Sequence, residues 1–390
     1  MVIYQAGSIV IAGDSLTLSM QMSGMRPPSE VVVRRYREGD EARIVPFLER
    51  VMGWPSVCSG VPRLDHWRWK FLGNPMGFHL VCVAEQDGEI VSHSASIPVQ
   101  MSIGGTIVLA SQGVDLCTDP LFRGRGLIGR TMECRNRMKD EHGIALDFGF
   151  PNQTAYHLSL IKQGFTDLGI RVMQHRYIID EKRFFSKLRF GQLKRLGYNS
   201  YQLVRRSLGR GTEAIGGMLL ESTMSFTPEV DGLGRLAAEE FDLMIVRDHR
   251  YMNWRYADPR AGDFIIRTAR RNGRLVGWMV HKQEDREGSR FLNIVDALAD
   301  PGSPEAISVL LMDAISLAEE TGIETILCCL PDGHPYARSL ADVGFLSQVR
   351  FTGERPMSMI YQERTLSETG MGGLPDGARV HIMLGDTDWV

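Results

Sequence analysis

The residues with the clearest chemical meaning are Arg123-Gly124-Arg125-Gly126-Leu127-Ile128-Gly129. Glycines let a backbone approach a bound group closely, and the N–H groups at a helix start point at an anion. Arg123 and Arg125 add positive charge to that setting. A strand-like run, IVLASQGVDLCT, precedes the loop and ends near Thr118. Asp119-Pro120 breaks it, because proline cannot donate to a ladder. Arg130 to Glu141 then reads as a helix. Strand, glycine–arginine loop and helix, in that order, form the context that a diphosphate needs.

The elements that hold this loop occur twice, with Trp67 in His66-Trp67-Arg68-Trp69 returning 187 residues later as Trp254 in Asn253-Trp254-Arg255-Tyr256. Each copy continues through a Pro (Pro75, Pro259) to a hairpin signal turning at Gly88 and Gly273. Val114-Asp115 with Asp119-Pro120 matches Val295-Asp296 with Asp300-Pro301. Gly143-Ile144 matches Gly322-Ile323, and a strand reading Ile144–Phe150 leads to Asn152 as its counterpart leads to Asp332. Gly164-Phe165 returns as Gly344-Phe345 at a spacing of 180, and the shrinkage is what short loop deletions produce. Two copies of one α/β unit are therefore expected, near 31–180 and 236–360. The second has Pro301-Gly302-Ser303-Pro304-Glu305-Ala306-Ile307 in place of the loop, with no arginine and with an acid that would repel a diphosphate. One anion site per chain is expected.

The domains are read as an extension over 1–30, a unit with the anion site over 31–180, a basic connector over 181–235, and a degenerate unit with a tail over 236–390. Lys182 to Arg210 holds nine Lys/Arg and no acid; its apolar residues can pack on a domain while the charges stay wet. An apolar fraction of 43% and a charged fraction of 23% belong to a soluble globular chain. A net charge of −3 gives no bulk attraction to nucleic acid or an anionic membrane. With no apolar run of spanning length and no secretory pattern, no transmembrane segment and a cytoplasmic setting are expected. The six cysteines lack CxxC spacing and read as free thiols, with no metal site.

The loop, its Asp-Pro break, the following strand, Asn152 and Gln163-Gly164-Phe165 together resemble the GNAT acetyltransferase superfamily. Its signature is Arg or Gln, two residues, Gly, one residue, then Gly or Ala. Arg123 and Gly126 match, while Ile128 takes the last position with Gly129 one step later. Val31-Val32-Val33-Arg34-Arg35-Tyr36 before Gly39-Asp40 is similar to the family's opening strand and helix. The resemblance implies an α/β (α+β) fold of two GNAT-like domains, each a mixed central sheet flanked by helices. It implies an N-acetyltransferase in which acetyl-CoA is attacked directly by a small-molecule amine, with no metal. Leu116, Cys117 and Thr118 would pair with the pantetheine arm, the loop Arg123, Gly124, Arg125, Gly126, Leu127, Ile128 and Gly129 would hold the diphosphate, and Asn152 would line the other wall. Many members carry a tyrosine acid where this chain has Leu160; Tyr156 and His157 are the substitutes, against ordinary helix packing. Asp115 is the first candidate base, against a bracing role that its repeat as Asp296 favours; Gln112, His93 and Glu85 are weaker. Trp67, Trp69 and Trp254 read as packing ahead of an acceptor pocket. Long tandem members often acetylate amino sugars of surface polysaccharides. An acyl-CoA-responsive binding protein and a Fem-like aminoacyl transferase are the other readings, and a homo-oligomer is left open.

Overall fold

The computed structural model describes residues 30–55, 60–186, 192, 194–196, 217–348, 358–365, 374–375 and 377–388. The extension over 1–29 and residues 187–191, 193 and 197–216 of the basic connector lie outside the described residues.

The first unit runs β1 (Val32–Arg35), α1 (Glu41–Met52), α2 (Arg63–Phe71), β2 (Leu80–Gln86), β3 (Glu89–Ile103), β4 (Thr106–Thr118), α3 (Leu127–Glu141), β5 (Leu146–Gly149), α4 (Gln153–Lys162), β6 (Thr166–Asp167) and β7 (Val172–Ile178). A short helix, α5 (Glu181–Ser186), leads toward the second unit. That unit runs β8 (Met218–Thr223), α6 (Glu229–Glu240), β9 (Leu243–Ile245), α7 (His249–Met252), β10 (Ile265–Arg271), β11 (Arg274–Arg286), β12 (Ser289–Ala299), α8 (Glu305–Glu320), β13 (Thr325–Pro331), α9 (Tyr336–Val343), β14 (Leu346–Gln348), β15 (Ile360–Glu363) and β16 (Val380–His381). The helices are amphipathic: α1 buries Ile44, Val45, Phe47 and Leu48, which recur at the three-to-four-residue period that forms one stripe.

The two sheets share one strand plan. One reads β1-β2-β3-β4-β5-β15-β6, the other β8-β10-β11-β12-β13-β7-β14. The repeat read in the sequence is thus a repeat in space, since hairpin β2–β3 corresponds to β10–β11 and β4 to β12. The sixth strand of each sheet comes from the other half. Strand β7 pairs antiparallel with β13, and β15 pairs antiparallel with β5. The sheets therefore do not follow a linear division of the chain near residue 180. Strand β9 adds to the far end of β3, and β16 pairs with β9, so the last segment returns to the centre. A single apolar cluster runs through both halves, from Ile44 and Trp67 to Leu310 and Met383. At its middle Trp69 and Trp254 stack at 5.1 Å, and each indole N–H donates to the other's backbone carbonyl, at 2.6 and 3.0 Å. Trp67 is wholly buried against Tyr36 and Phe71.

Burial also sets an acid limit on stability. His66 and His281 are pushed down by desolvation to about 4, and His93, His334 and His381 are also lowered. A folded histidine with a lowered pKa binds fewer protons than the unfolded chain, so its contribution is complete above about pH 6.5 and is lost as pH falls below that. Neither ring nitrogen of His281 has a hydrogen-bond partner among the described residues. His281→Leu therefore removes no bond, and by linkage it should abolish about 2 kcal/mol of the stability lost between pH 7 and pH 4.5. Urea unfolding at the two pH values measures this; an acid loss equal to the wild type's would show that the ring does not titrate on unfolding.

Candidate active site

Strand β4 is held by β3 along its length but by β5 only at Ala110↔Leu146, Ser111↔Asp147 and Gln112↔Phe148. Beyond Gln112 the ladder ends: Gly113 and Gly149 still touch, and Val114–Thr118 runs on past the end of β5, leaving a wedge there. A bulge in β4 steepens the parting: Ser94 of β3 faces both Asp115 and Leu116, and Asp115 takes φ +49°. Three side chains fix that strained residue. His93 Nδ1 lies 2.7 Å from the Asp115 carbonyl oxygen, Lys70 Nζ donates to Asp115 Oδ2 at 2.8 Å, and Trp54 Nε1 donates to the same oxygen at 3.1 Å. Ser92 reaches the Cys117 carbonyl and the Thr118 hydroxyl at 3.0 and 2.7 Å.

At the mouth of the wedge, Asp119 ends β4. Its side chain accepts from Leu121 N at 2.9 Å and pairs with Arg50 at 2.5 Å. Helix α3 starts at Leu127, a turn before the expected Arg130, and its N-cap residue Gly126 takes the left-handed conformation at φ +70°, which glycine adopts without steric cost. Gly124 also has a positive φ, +77°. A Cβ on Gly124, Gly126 or Gly129 would meet nothing within 4 Å. These glycines therefore serve no packing need; they leave backbone open at a helix start, where the first N–H groups have no intrahelical partner. Leu127 anchors the loop in a small cluster with Ala84 and Val91. Arg123 is exposed and makes no ion pair or hydrogen bond through its side chain among the described residues, while Arg125 stacks over Phe122 at 4.8 Å. The arrangement offers positive charge and open amides to an anion.

The remaining candidates fall in different places. Asn152 is exposed at the end of β5 and caps α4, accepting from Ala155 N at 3.0 Å. Tyr156 is buried and its hydroxyl donates to the Asp167 carboxylate, whereas His157 is exposed. Glu85 belongs to an ion cluster with Arg34 and Arg43 beside α1. Gln112 stands at the apex of the wedge, where it lines a cavity of about 20 Å³ with Lys70, Trp69, Trp254, Arg255 and Asp388. The sequence reading missed Lys70, Trp54 and Asp388. No spacing ties them to the loop, and only folding brings them to Asp115.

The second half has the same parting and a different occupant. Strand β12 meets β13 only from Phe291↔Thr325 to Ile294↔Cys328. The space beside Val295 is filled by the chain's own residues 384–386: a Cβ on Gly385 would overlap the Tyr256 hydroxyl and lie 2.9 Å from the Val295 carbonyl oxygen. Buried Arg247 ties this segment down, pairing with Asp296 at 3.2 Å and Asp386 at 2.7 Å. At the start of α8, Glu305 pairs with Arg271 where the first half has its glycines. An anion has no open amides to meet there.

A Gly–Arg loop at a helix start, beside the end of a parallel strand pair, is the arrangement that the resemblance to the GNAT superfamily implies. Residues 32–159 match the family model described as an acetyltransferase (GNAT) domain. That stretch, about a third of the chain, is similar to a GNAT acetyltransferase domain, which supports an acyltransferase. Solved structures give the same fold over 86% of the chain. They include a GCN5-related N-acetyltransferase from Anabaena variabilis (TM-score 0.60, 12% identity, 73% of that chain) and one from Kribbella flavida (0.55, 14%, 71%). Saccharomyces cerevisiae N-myristoyltransferase with bound myristoyl-CoA also aligns, at TM-score 0.52 and 11% identity, over 86% of this chain and 83% of that one. No curated protein matches the sequence.

Proposed function

We propose that the protein transfers an acetyl group from acetyl-CoA to the amine of a small molecule, with an amino sugar as the acceptor class. The observation that carries this reading is the loop of open glycines at the start of α3, which follows the strand whose Gln112 lines an internal cavity with Trp69 and Trp254. The diphosphate would sit on Gly124–Gly129 with Arg123 and Arg125 beside it, and the pantetheine along Leu116–Thr118, with Asn152 on the facing wall. The amine attacks the thioester carbonyl, and a backbone N–H of the bulged stretch takes the developing oxyanion. The cavity has room for one ammonium-sized group, and aromatic faces suit a cation.

Asp115 braces the bulge in this reading, because both Lys70 and Trp54 occupy its carboxylate. Tyr156 holds α4 to β6 through Asp167, and the thiolate takes its proton from the N–H of the tetrahedral adduct. That division of labour leaves the acyl-CoA-responsive binding protein as the second reading, since no side chain acid is required for binding. Thiol release from acetyl-CoA in the presence of glucosamine, spermidine and amino acid esters separates the two. Release with at least one amine supports transfer; tight CoA binding with no release supports the binding protein; no CoA binding overturns both.

A further inference from the structure

The cavity at the apex of the wedge holds a polar set that the transfer reaction has not yet used. Its walls come from both halves: Lys70 and Trp69 from α2, Gln112 from β4, Trp254 and Arg255 from the π-helical turn Asn253–Ala257, and Asp388 from the returning tail. Gln112 is 5% exposed, and its Nε2 has no partner among the described residues. The room, about 20 Å³, is that of one water-sized group.

Two carboxylates approach Lys70 there, and they differ. The Asp115 side chain is 3% exposed and accepts from both Lys70 and Trp54. That of Asp388 is 20% exposed and lies 3.6 Å from Lys70 Nζ. The tail is placed by its backbone: Arg255 donates to the Gly385 carbonyl at 2.9 Å and the Thr387 carbonyl at 2.6 Å, while Asp386 is held by Arg247. The filled wedge of the second half therefore presents a carboxylate to the open wedge of the first.

We propose that Asp388 is the carboxylate that receives the acceptor's ammonium group and removes its proton, with Gln112 Nε2 and the Trp69–Trp254 wall completing an acceptor subsite. This assignment rests on the acetyl-transfer reading. The acceptor class is a primary ammonium on a small body. Asp388 takes one proton from R–NH3⁺; the freed R–NH2 adds to the thioester carbonyl, forming C–N. The adduct expels the thiolate, breaking C–S, and its remaining N–H proton goes to sulfur. The products are the amide and CoA thiol, and Asp388 returns one proton to solvent.

The charges around the carboxylate suit that cycle. Burial raises its proton affinity, Lys70 opposes the rise, and Asp115 adds to it. Arg255 is the second nearby cation, while burial keeps His66 and Tyr251 neutral near pH 7. The Arg247–Asp296–Asp386 group lies behind the tail.

The test uses the full chain with Asp388→Asn and Asp388→Glu. CoA binding is read by calorimetry, and thiol release from acetyl-CoA with glucosamine, spermidine and amino acid esters is read from pH 6 to pH 10. CoA affinity should stay within about twofold of wild type. Transfer kcat/KM for Asp388→Asn should fall about 100-fold at pH 7, the scale of a lost general base. The deficit should shrink as pH nears the acceptor's own pKa, because free amine needs no base, and Asp388→Glu should recover part of the loss. A structural role alone would lower activity without bending the pH profile. Wild-type transfer and an unchanged profile in Asp388→Asn overturn the assignment alone. A wild-type protein that binds CoA and acetylates none of these amines overturns the transfer reading and this assignment with it.

Discussion

Replacing Gly126 with valine should weaken CoA binding at least 100-fold, about 2.7 kcal/mol, while the protein still folds. Gly126 sits at φ +70°, which costs a residue with a Cβ roughly 1–2 kcal/mol and a β-branched one more. The empty space above it means that the new side chain finds no clash within the protein. It intrudes instead where a diphosphate must approach. Arg123→Ala acts through charge alone and should weaken binding about tenfold, in line with the loss of one charge-assisted bond. Pro304→Ala, at the matching helix start of the second half, should leave affinity unchanged. Calorimetric titration with CoA reads all three. Equal loss in Gly126→Val and Pro304→Ala, or full affinity in Gly126→Val, would remove the loop from the site.

Arg247→Met should be the most destabilising single change outside the loop, by about 3–5 kcal/mol, as when one partner of a buried ion pair is removed. For a protein of this size that is a fall of roughly 5 °C in melting temperature. Arg247 is wholly buried between Asp296 and Asp386, and Tyr256 donates to Asp296 at 2.9 Å. Burial already raises both carboxyls above their ordinary range, and Arg247 counters that rise. Without the guanidinium they rise further. A carboxyl whose folded pKa exceeds its unfolded value binds more protons when folded, so its stability contribution is present at low pH and is lost as pH rises. The deficit of Arg247→Met relative to wild type should therefore shrink between pH 7 and pH 4.5. Thermal melts at the two pH values give the comparison; a deficit that stays constant would mean that Asp296 and Asp386 are not left charged and unpaired. Because the tail carries Asp388, the same variant should also lose transfer activity near its melting onset.

Much of the cradle was legible in the sequence because its determinants are local. A Gly-rich loop, an Asp-Pro break and a following helix lie within a few residues of one another, and each acts through the backbone of its own segment. The repeat was legible for a similar reason: hairpin glycines and strand patterns keep their period whether or not a site survives. The helix start was read three residues late, since nothing in the residue pattern of Leu127-Ile128-Gly129 shows that Gly126 turns left-handed where the helix begins. Asp115 and Asp296 were read as related residues with an open role. Folding gave them different partners, Lys70 and Trp54 for one and Arg247 and Tyr256 for the other.

By itself, the sequence determined two related α/β halves, only one of which carries a Gly–Arg loop at a helix start, and the resemblance of that half to an acetyltransferase domain. Only the tertiary structure decided that β7 and β15 change places between the sheets, that residues 384–386 fill the wedge of the second half, and that Lys70, Asp115 and Asp388 meet beneath Gln112. The reason is physical. A strand's alternation states that it must pair, and a tail carboxylate states that it must be solvated or paired, but neither states with whom. Partners far apart in the chain are chosen by which sheet edge and which buried charge remain open once the local elements have formed.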